Sequence, residues 1–221
     1  MKVLAIDTAT ERCSVALRVD GNVFAREIET PRGHADLILP MVQEVLVEAG
    51  ITLRQLDGIA YGRGPGAFTG VRIAVGVVQG LAFGAALPTV GVSNLAAVAQ
   101  QVAQPGARVL VCMDARMQEI YWGMFEADGE HVVALGSEHV SKPDMIGMFD
   151  QSPTLAAGTG FAAYPILKER FSNIPIQSQV LPRASDIAVL GEWELARGLG
   201  RSAAEAQPVY LRDNVAVAKK S

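Results

Sequence analysis

Between Gly62 and Arg72 the chain reads GRGPGAFTGVR, four glycines and a proline leading into the apolar run IAVGVVQGLAFGA. A glycine-rich turn between a strand and a helix is where backbone N–H groups and a helix N-terminus gather around phosphate. Two phosphate-binding patterns can be checked by spacing. A G-x-x-x-x-G-K-S/T loop has no place here, because no lysine stands between Lys2 and Lys142. A G-x-G-x-x-A match exists at Gly62, Gly64 and Ala67, but no acidic residue follows at the end of the next strand to hold a ribose. The simpler account is a tight strand-to-helix turn with Thr69 near the helix N-cap.

Other reactive groups are sparse. His34, His131 and His139 lack metal-ligand spacing, and Cys13 and Cys112 form no C-x-x-C pair. No G-x-S-x-G and no cysteine–histidine pairing supplies a nucleophile with its base. Aromatic residues make up 6% of the chain without basic interleaving, which argues against stacking on single strands. Nineteen basic and 23 acidic residues give a net charge of −4, too acidic for gripping a phosphate backbone unaided. Gly158-Thr159-Gly160 is a second glycine motif, and a lone G-x-G carries little information.

The elements that must position these residues alternate between strand and helix. KVLAID reads as a buried strand, and CSVALRVD and NVFAREIE flank the hairpin signal Asp20-Gly21. HADLILPMVQEVLVEAG has helical spacing around Pro40. LDGIAY is a strand, Phe68 to about Gly84 a helix, PTVGV a strand, and a helix capped by Ser93 follows. After Gln104-Pro105-Gly106 the pattern restarts with RVLVCMDA, two strands around Asp128-Gly129, a short helix at SKPDMIGMFD, and then strand–helix–strand–helix. Both halves read βββαβαβα, with Asp7 and Asp114 each ending the first strand.

That order predicts an α/β protein of two RNase H-like lobes, residues 1–104 and 105–221, with a cleft between them. The tail after about 207 is free to return to the first lobe. A duplicated unit of this kind is the architecture of the actin, sugar kinase and Hsp70 (ASKHA) superfamily. In that fold the loops after the first strand of each lobe approach the nucleotide phosphates, and an aspartate holds the metal through water. The corresponding loops are Asp7-Thr8-Ala9-Thr10 and Asp114-Ala115-Arg116-Met117, with Gly158 and Gly160 at the adenosine side. Neither phosphate loop contains glycine, so both aspartates are equally readable as caps of strand-end turns.

The helix after Gly66 carries a different signal. From Val71 to Ala85 its only polar side chains are Arg72 and Gln79, and Gly76, Gly80 and Gly84 repeat every fourth residue. Either this stripe packs closely on its own sheet, or the outer face is covered by another protein, and the second is favoured. Leu37, Ile38 and Met41 belong to a broad apolar stripe on the preceding helix, about half of it needed for core packing. The apolar window Ile73–Val92 has the length of a membrane span, but Pro88 and the extended PTVGV split it. With no cationic leader, a cytoplasmic protein with reduced buried thiols is expected.

LAIDTATERCSVAL, HADLILPMV, GRGPGAFTGVRIAVGVVQGLA, MDARMQEIYWGMF and PVYLR resemble the bacterial TsaB family, also called YeaZ, almost end to end. GPGxFTGxRI is characteristic of that family and its paralogue TsaD. The resemblance implies a two-lobed actin-like protein working with TsaD, TsaE and TsaC to make N6-threonylcarbamoyladenosine (t6A) beside the anticodon of tRNA. In that scheme TsaD transfers the carbamoyl group and carries the metal on histidines absent from this chain. TsaB itself is a non-catalytic partner of TsaD, and alone it forms homodimers through the same surface. The implied interface is His34, Leu37, Ile38, Met41, Arg72, Val75, Gly76, Gln79, Gly80 and Phe83. It further implies no metal and no intrinsic cofactor, with ATP or ADP only in the assembled complex and tRNA reached through that complex. The competing expectation is a stand-alone nucleotide-dependent phosphotransferase or hydrolase using Asp7, Thr8, Thr10 and Asp114.

Overall fold

A computed structural model describes residues 1–147 and 149–212. The first half runs β1 (Lys2–Asp7), β2 (Arg12–Val19), β3 (Asn22–Glu29), α1 (His34–Ala49), β4 (Gly58–Gly62), α2 (Phe68–Ala85), β5 (Thr89–Val92) and α3 (Asn94–Val102). The second runs β6 (Arg108–Asp114), β7 (Ile120–Asp128), β8 (His131–Ala134), β9 (His139–Ser141), β10 (Leu155–Ala157), α4 (Gly160–Ala163), α5 (Pro165–Arg170), β11 (Ile176–Gln177) and α6 (Ala184–Ala196).

The first sheet has strand order β3-β2-β1-β4-β5, and the second, read along its main path, β8-β7-β6-β10-β11. In each, the central strand pairs antiparallel with the next strand and parallel with a later one. β1 and β6 are buried on both faces, as their unbroken apolar runs require. Alternation divides their side chains: Val3 and Ala5 of β1, with Val109 and Val111 of β6, enter one central core. Leu4 and Ile6 face outward under α1 and α2, while Leu110 and Cys112 face outward under α4 and α5.

The central core is filled by α3 and α6, and each crosses to the other half's sheet. α3 packs on β6, β7 and β8, whereas α6 packs on β1, β2 and β4. Across the expected division at residue 104, α3 packs on the second sheet and α6 on the first. For α6 the reason lies in its small residues. A Cβ on Gly191 would overlap that of Ala60, so the helix can sink onto the sheet only with glycine there.

Local departures have local causes. Asp20 and Gly21 both take positive φ, 49° and 90°, as a two-residue hairpin demands. In the second hairpin Asp128 is the last paired residue, and only Gly129 has positive φ. The expected helix at SKPDMIGMFD is a single 3-10 turn, Pro143–Met145. Pro165 divides the next helix into α4 and α5, because the residue before proline disfavours the helical region. α2 begins at Phe68 with Ala67 at its N-cap, so Thr69 lies inside the helix rather than capping it.

Candidate functional site

Two features bring predicted site residues together: the outer face of α2 and the cleft between the lobes. The inner face of α2 is Val71, Ala74, Val75, Val78 and Ala82, all buried against the first sheet. By length and composition α2 could cross a membrane, yet this face is integral to the core. Arg72, Gly76, Gly80, Phe83 and Gly84 occupy the opposite face and are exposed, Phe83 at 85%. A Cβ placed on Gly76, Gly80 or Gly84 would meet no heavy atom within 4 Å. Close packing on its own sheet therefore does not account for the glycine stripe.

The predicted interface residues do not all share this face. Val75 of α2 and Ile38 and Met41 of α1 are 6%, 0% and 3% exposed and belong to the first lobe's core. Leu37 packs at the edge of that core. Gln79 is half-buried and donates to the Ala206 carbonyl at 2.8 Å. His34 bonds the Thr10 carbonyl through Nε2 at 2.9 Å, tying the start of α1 to the first lobe's loop. The apolar stripe of α1 is thus almost wholly internal, and its outer side carries Glu44 and Glu48, both paired with Arg26. Leu39 and Val47 are the large exposed apolar side chains of α1.

The cleft, of about 1440 Å³, is walled by Thr8–Glu11 and the Pro65–Val71 turn on one side and by Met113–Arg116 and Thr159 on the other. Asp7 is not on its wall. The carboxyl is fully buried and accepts from Asn94 Nδ2 at 2.7 Å, while Oδ2 has no partner. Desolvation pushes its pKa up to about 6, against the lowering pull of Asn94, the Ala9 and Thr8 backbone N–H groups and Arg12. Asn94 also accepts from the Gly64 N–H at 2.8 Å, so it ties Asp7 to the glycine-rich turn.

That turn lies directly on the loop after β1. A Cβ on Gly66 or Gly70 would collide with the carbonyls of Ala9 or Thr8, and one on Gly62 with the Asp7 carboxylate. Thr8 Oγ1 donates to the Gly70 carbonyl at 2.7 Å, and the Ala67 N–H to the Ala9 carbonyl at 2.7 Å. The Thr10 hydroxyl accepts from the Arg12 N–H. Gly66 and Gly70 thus let two backbones touch, and Gly62 leaves room for the Asp7 carboxylate.

Asp114 does face the cleft, but it is occupied. It accepts from Tyr164 Oη and the Arg116 N–H at 3.0 and 2.9 Å, and pairs with the Arg116 guanidinium at 3.2 Å. Gly158 and Gly160 are buried where a Cβ would press on the Cys112 carbonyl, so their smallness serves packing on β6. Thr159 between them accepts from the Asp114 N–H at 3.0 Å. Among the described residues no three His, Cys, Asp or Glu side chains converge as a metal site. Both thiols are buried and desolvated, with Cys13 pushed up to about 11 and Cys112 also raised, the opposite of an activated nucleophile.

Sequence reasoning missed Asn94, whose position after the capping Ser93 gave no sign that its side chain points back at Asp7. The tail after about 207, left free to return to the first lobe, bonds Tyr61 and Arg63 there through Gln207 and Val209; its continuation to the second lobe through Arg212 had no sign in the sequence.

A family model described as tRNA N6-adenosine threonylcarbamoyltransferase, TsaD, matches residues 27–220. The tRNA threonylcarbamoyladenosine biosynthesis protein TsaB of Escherichia coli is 45% identical over 98% of this chain and 96% of its own length. The protein of the same name from Haemophilus influenzae is 38% identical, covering 97% of this chain and 95% of its own length. A solved structure described as YeaZ from Pseudomonas aeruginosa superposes with a TM-score of 0.84 at 41% identity, covering 95% of this chain and 99% of the other.

Proposed function

Because this chain belongs to the TsaB family, we propose that it is the non-catalytic subunit that binds and supports a TsaD transferase during t6A synthesis on tRNA. A role in t6A biosynthesis follows from the names its relatives carry. The docking role rests on one observation. The outer face of α2 presents three glycines spaced by four, with open space above them and Phe83 beside them at 85% exposure. A glycine stripe lets a second backbone approach closely, and an exposed apolar face on a soluble protein gains free energy from being covered.

The occupant is one helix-bearing partner, TsaD, with Leu39 of α1 at the margin of the contact. TsaE joins in the larger complex, and a homodimer forms through the same face when the chain is alone. The tRNA is held by the complex, ATP or ADP binds only there, and the setting is the cytoplasm. The state of the cleft supports this division of labour. Asp7 is walled off behind Asn94 and Asp114 is engaged by Arg116 and Tyr164, so neither carboxylate is free to organise a nucleotide.

The test is to mix the purified chain with its TsaD partner, follow mass by light scattering, and titrate ATP into each component separately. A heterodimer is expected, with Gly76→Arg abolishing it while the isolated variant stays folded. If Gly76→Arg and Gly80→Arg both leave association and tRNA modification intact, the face is wrongly assigned. ATP turnover by the isolated chain would instead return Asp7 and Asp114 to the centre.

A further inference from the structure

After the short helical turn Ala203–Glu205, the chain lies back on α2 and then bridges the cleft mouth. Gln79 holds the Ala206 carbonyl, Tyr61 Oη accepts from the Gln207 N–H at 3.0 Å, and the Val209 N–H donates to the Arg63 carbonyl at 2.8 Å. The far end is held by the other lobe. Arg212 donates to the Ala115 carbonyl at 3.2 Å, pairs with Glu119, and reaches Met117 Sδ at 3.6 Å.

What Arg212 grips is an unusual turn. Arg116, Met117 and Gln118 all have positive φ, 59°, 55° and 63°, and none is glycine. Left-handed backbone at successive side-chain-bearing residues is strained and persists only where its surroundings hold it. The two chain-closing bonds, Ala115 N–H to Glu119 and Glu119 N–H to Arg116, are flanked by the Arg212 contacts.

Between its two anchored ends the segment touches the α2 face. Tyr210 packs on Phe68 at 5.6 Å, and the Arg72 guanidinium sits 3.3 Å from the Phe68 ring centroid and 5.1 Å from that of Tyr210. All three side chains are exposed, Phe68 at 51% and Tyr210 at 44%. A cation–aromatic contact is weak in water and strengthens when water is removed.

We propose that Gln207–Arg212 is a docking-sensitive strap, by which covering the α2 face tightens the left-handed turn at the mouth of the cleft. The inference rests on the docking reading above and adds its consequence. A partner seated over Arg72 strips water from the Phe68–Arg72–Tyr210 stack and fixes Tyr210. Arg212, two residues on, is then held against Ala115 and Glu119, and the turn opens less often. The partner thus acts on the cleft without entering it, through the greater affinity it has for the strapped state.

Hydrogen exchange at the amides of Ala115 and Glu119 reads the turn directly. In the isolated chain, Tyr210→Ala and Arg212→Ala are expected to speed exchange there by roughly threefold or more, with the sheet amides of β6 unchanged. In the complex, the wild-type turn slows by about tenfold, whereas Arg212→Ala associates normally by light scattering and shows no slowing. Equal exchange in the variants and the wild type, or slowing retained in Arg212→Ala, overturns the strap. Absence of any complex overturns the docking reading and the relay with it, while the isolated-chain comparison still decides whether the segment holds the turn.

Discussion

Ionising the Asp7 carboxyl inside the first lobe costs free energy, because no water reaches it and Oδ2 has no donor. Its pKa is raised from 3.8 to about 6, so between those values the folded protein binds more proton than the unfolded chain. Stability from this group is complete below about pH 4 and is lost as pH rises through about 6, a loss on the order of 3 kcal/mol. Asp7→Asn keeps an oxygen for Asn94 and removes the charge. Thermal melts across pH should therefore find the variant more stable than the wild type at pH 8, with the gap closing towards pH 4. A variant less stable than the wild type at pH 8 would mean that the carboxylate has a partner it needs. The same substitution should leave t6A synthesis intact, whereas a nucleotide-dependent enzyme built on Asp7 would lose activity.

At the scale of the element, α2 separates stability from association. Glycine inside a helix costs about 0.5–1 kcal/mol relative to alanine. Nothing within 4 Å opposes a methyl at Gly76, Gly80 or Gly84. Gly80→Ala should raise the midpoint of thermal unfolding by a few degrees while weakening association with the partner at least about tenfold, since the lost close approach is replaced by a gap. A calorimetric melt and a binding titration on one preparation check both halves. If association is unchanged, the stripe is not in the contact. This element also shows how much was legible beforehand. The approximate bounds of α2, its outer face charged only at Arg72, and its glycine spacing were plain in the one-dimensional pattern. Ile38, Met41 and Val75, expected at the interface, lie in the first lobe's core, because an apolar stripe in the sequence does not by itself separate a core-facing side from an exposed one. Periodicity then no longer says which side is which.

At the scale of the molecule, the βββαβαβα order of the first half was readable from its turn signals and apolar runs, but the exchange of α3 and α6 between the sheets was not. A helix buried between two layers has no polar face to orient it, and the contacts of α6 with β1 and β4 link positions more than a hundred residues apart. A role in t6A biosynthesis was legible through the family resemblance, whereas the glycine-rich turn, phosphate-like by composition, was set apart by its missing lysine and ribose acid. The exchange has a consequence for unfolding. Because α3 and α6 together with strands of both sheets form one central core, neither lobe keeps its inner face covered if the other melts. The wild type should therefore unfold in a single transition, with Trp122 on β7 and Trp193 on α6 reporting the same midpoint. Gly191→Val tests the coupling: its side chain would overlap Ala60 of β4 and lift α6 from the first sheet, at a cost of about 2–3 kcal/mol. Although the substitution lies against the first sheet, the fluorescence of Trp122 in the second should shift to the lower midpoint together with that of Trp193. Two separated transitions would show that the lobes fold independently and that the shared core is only a contact between them.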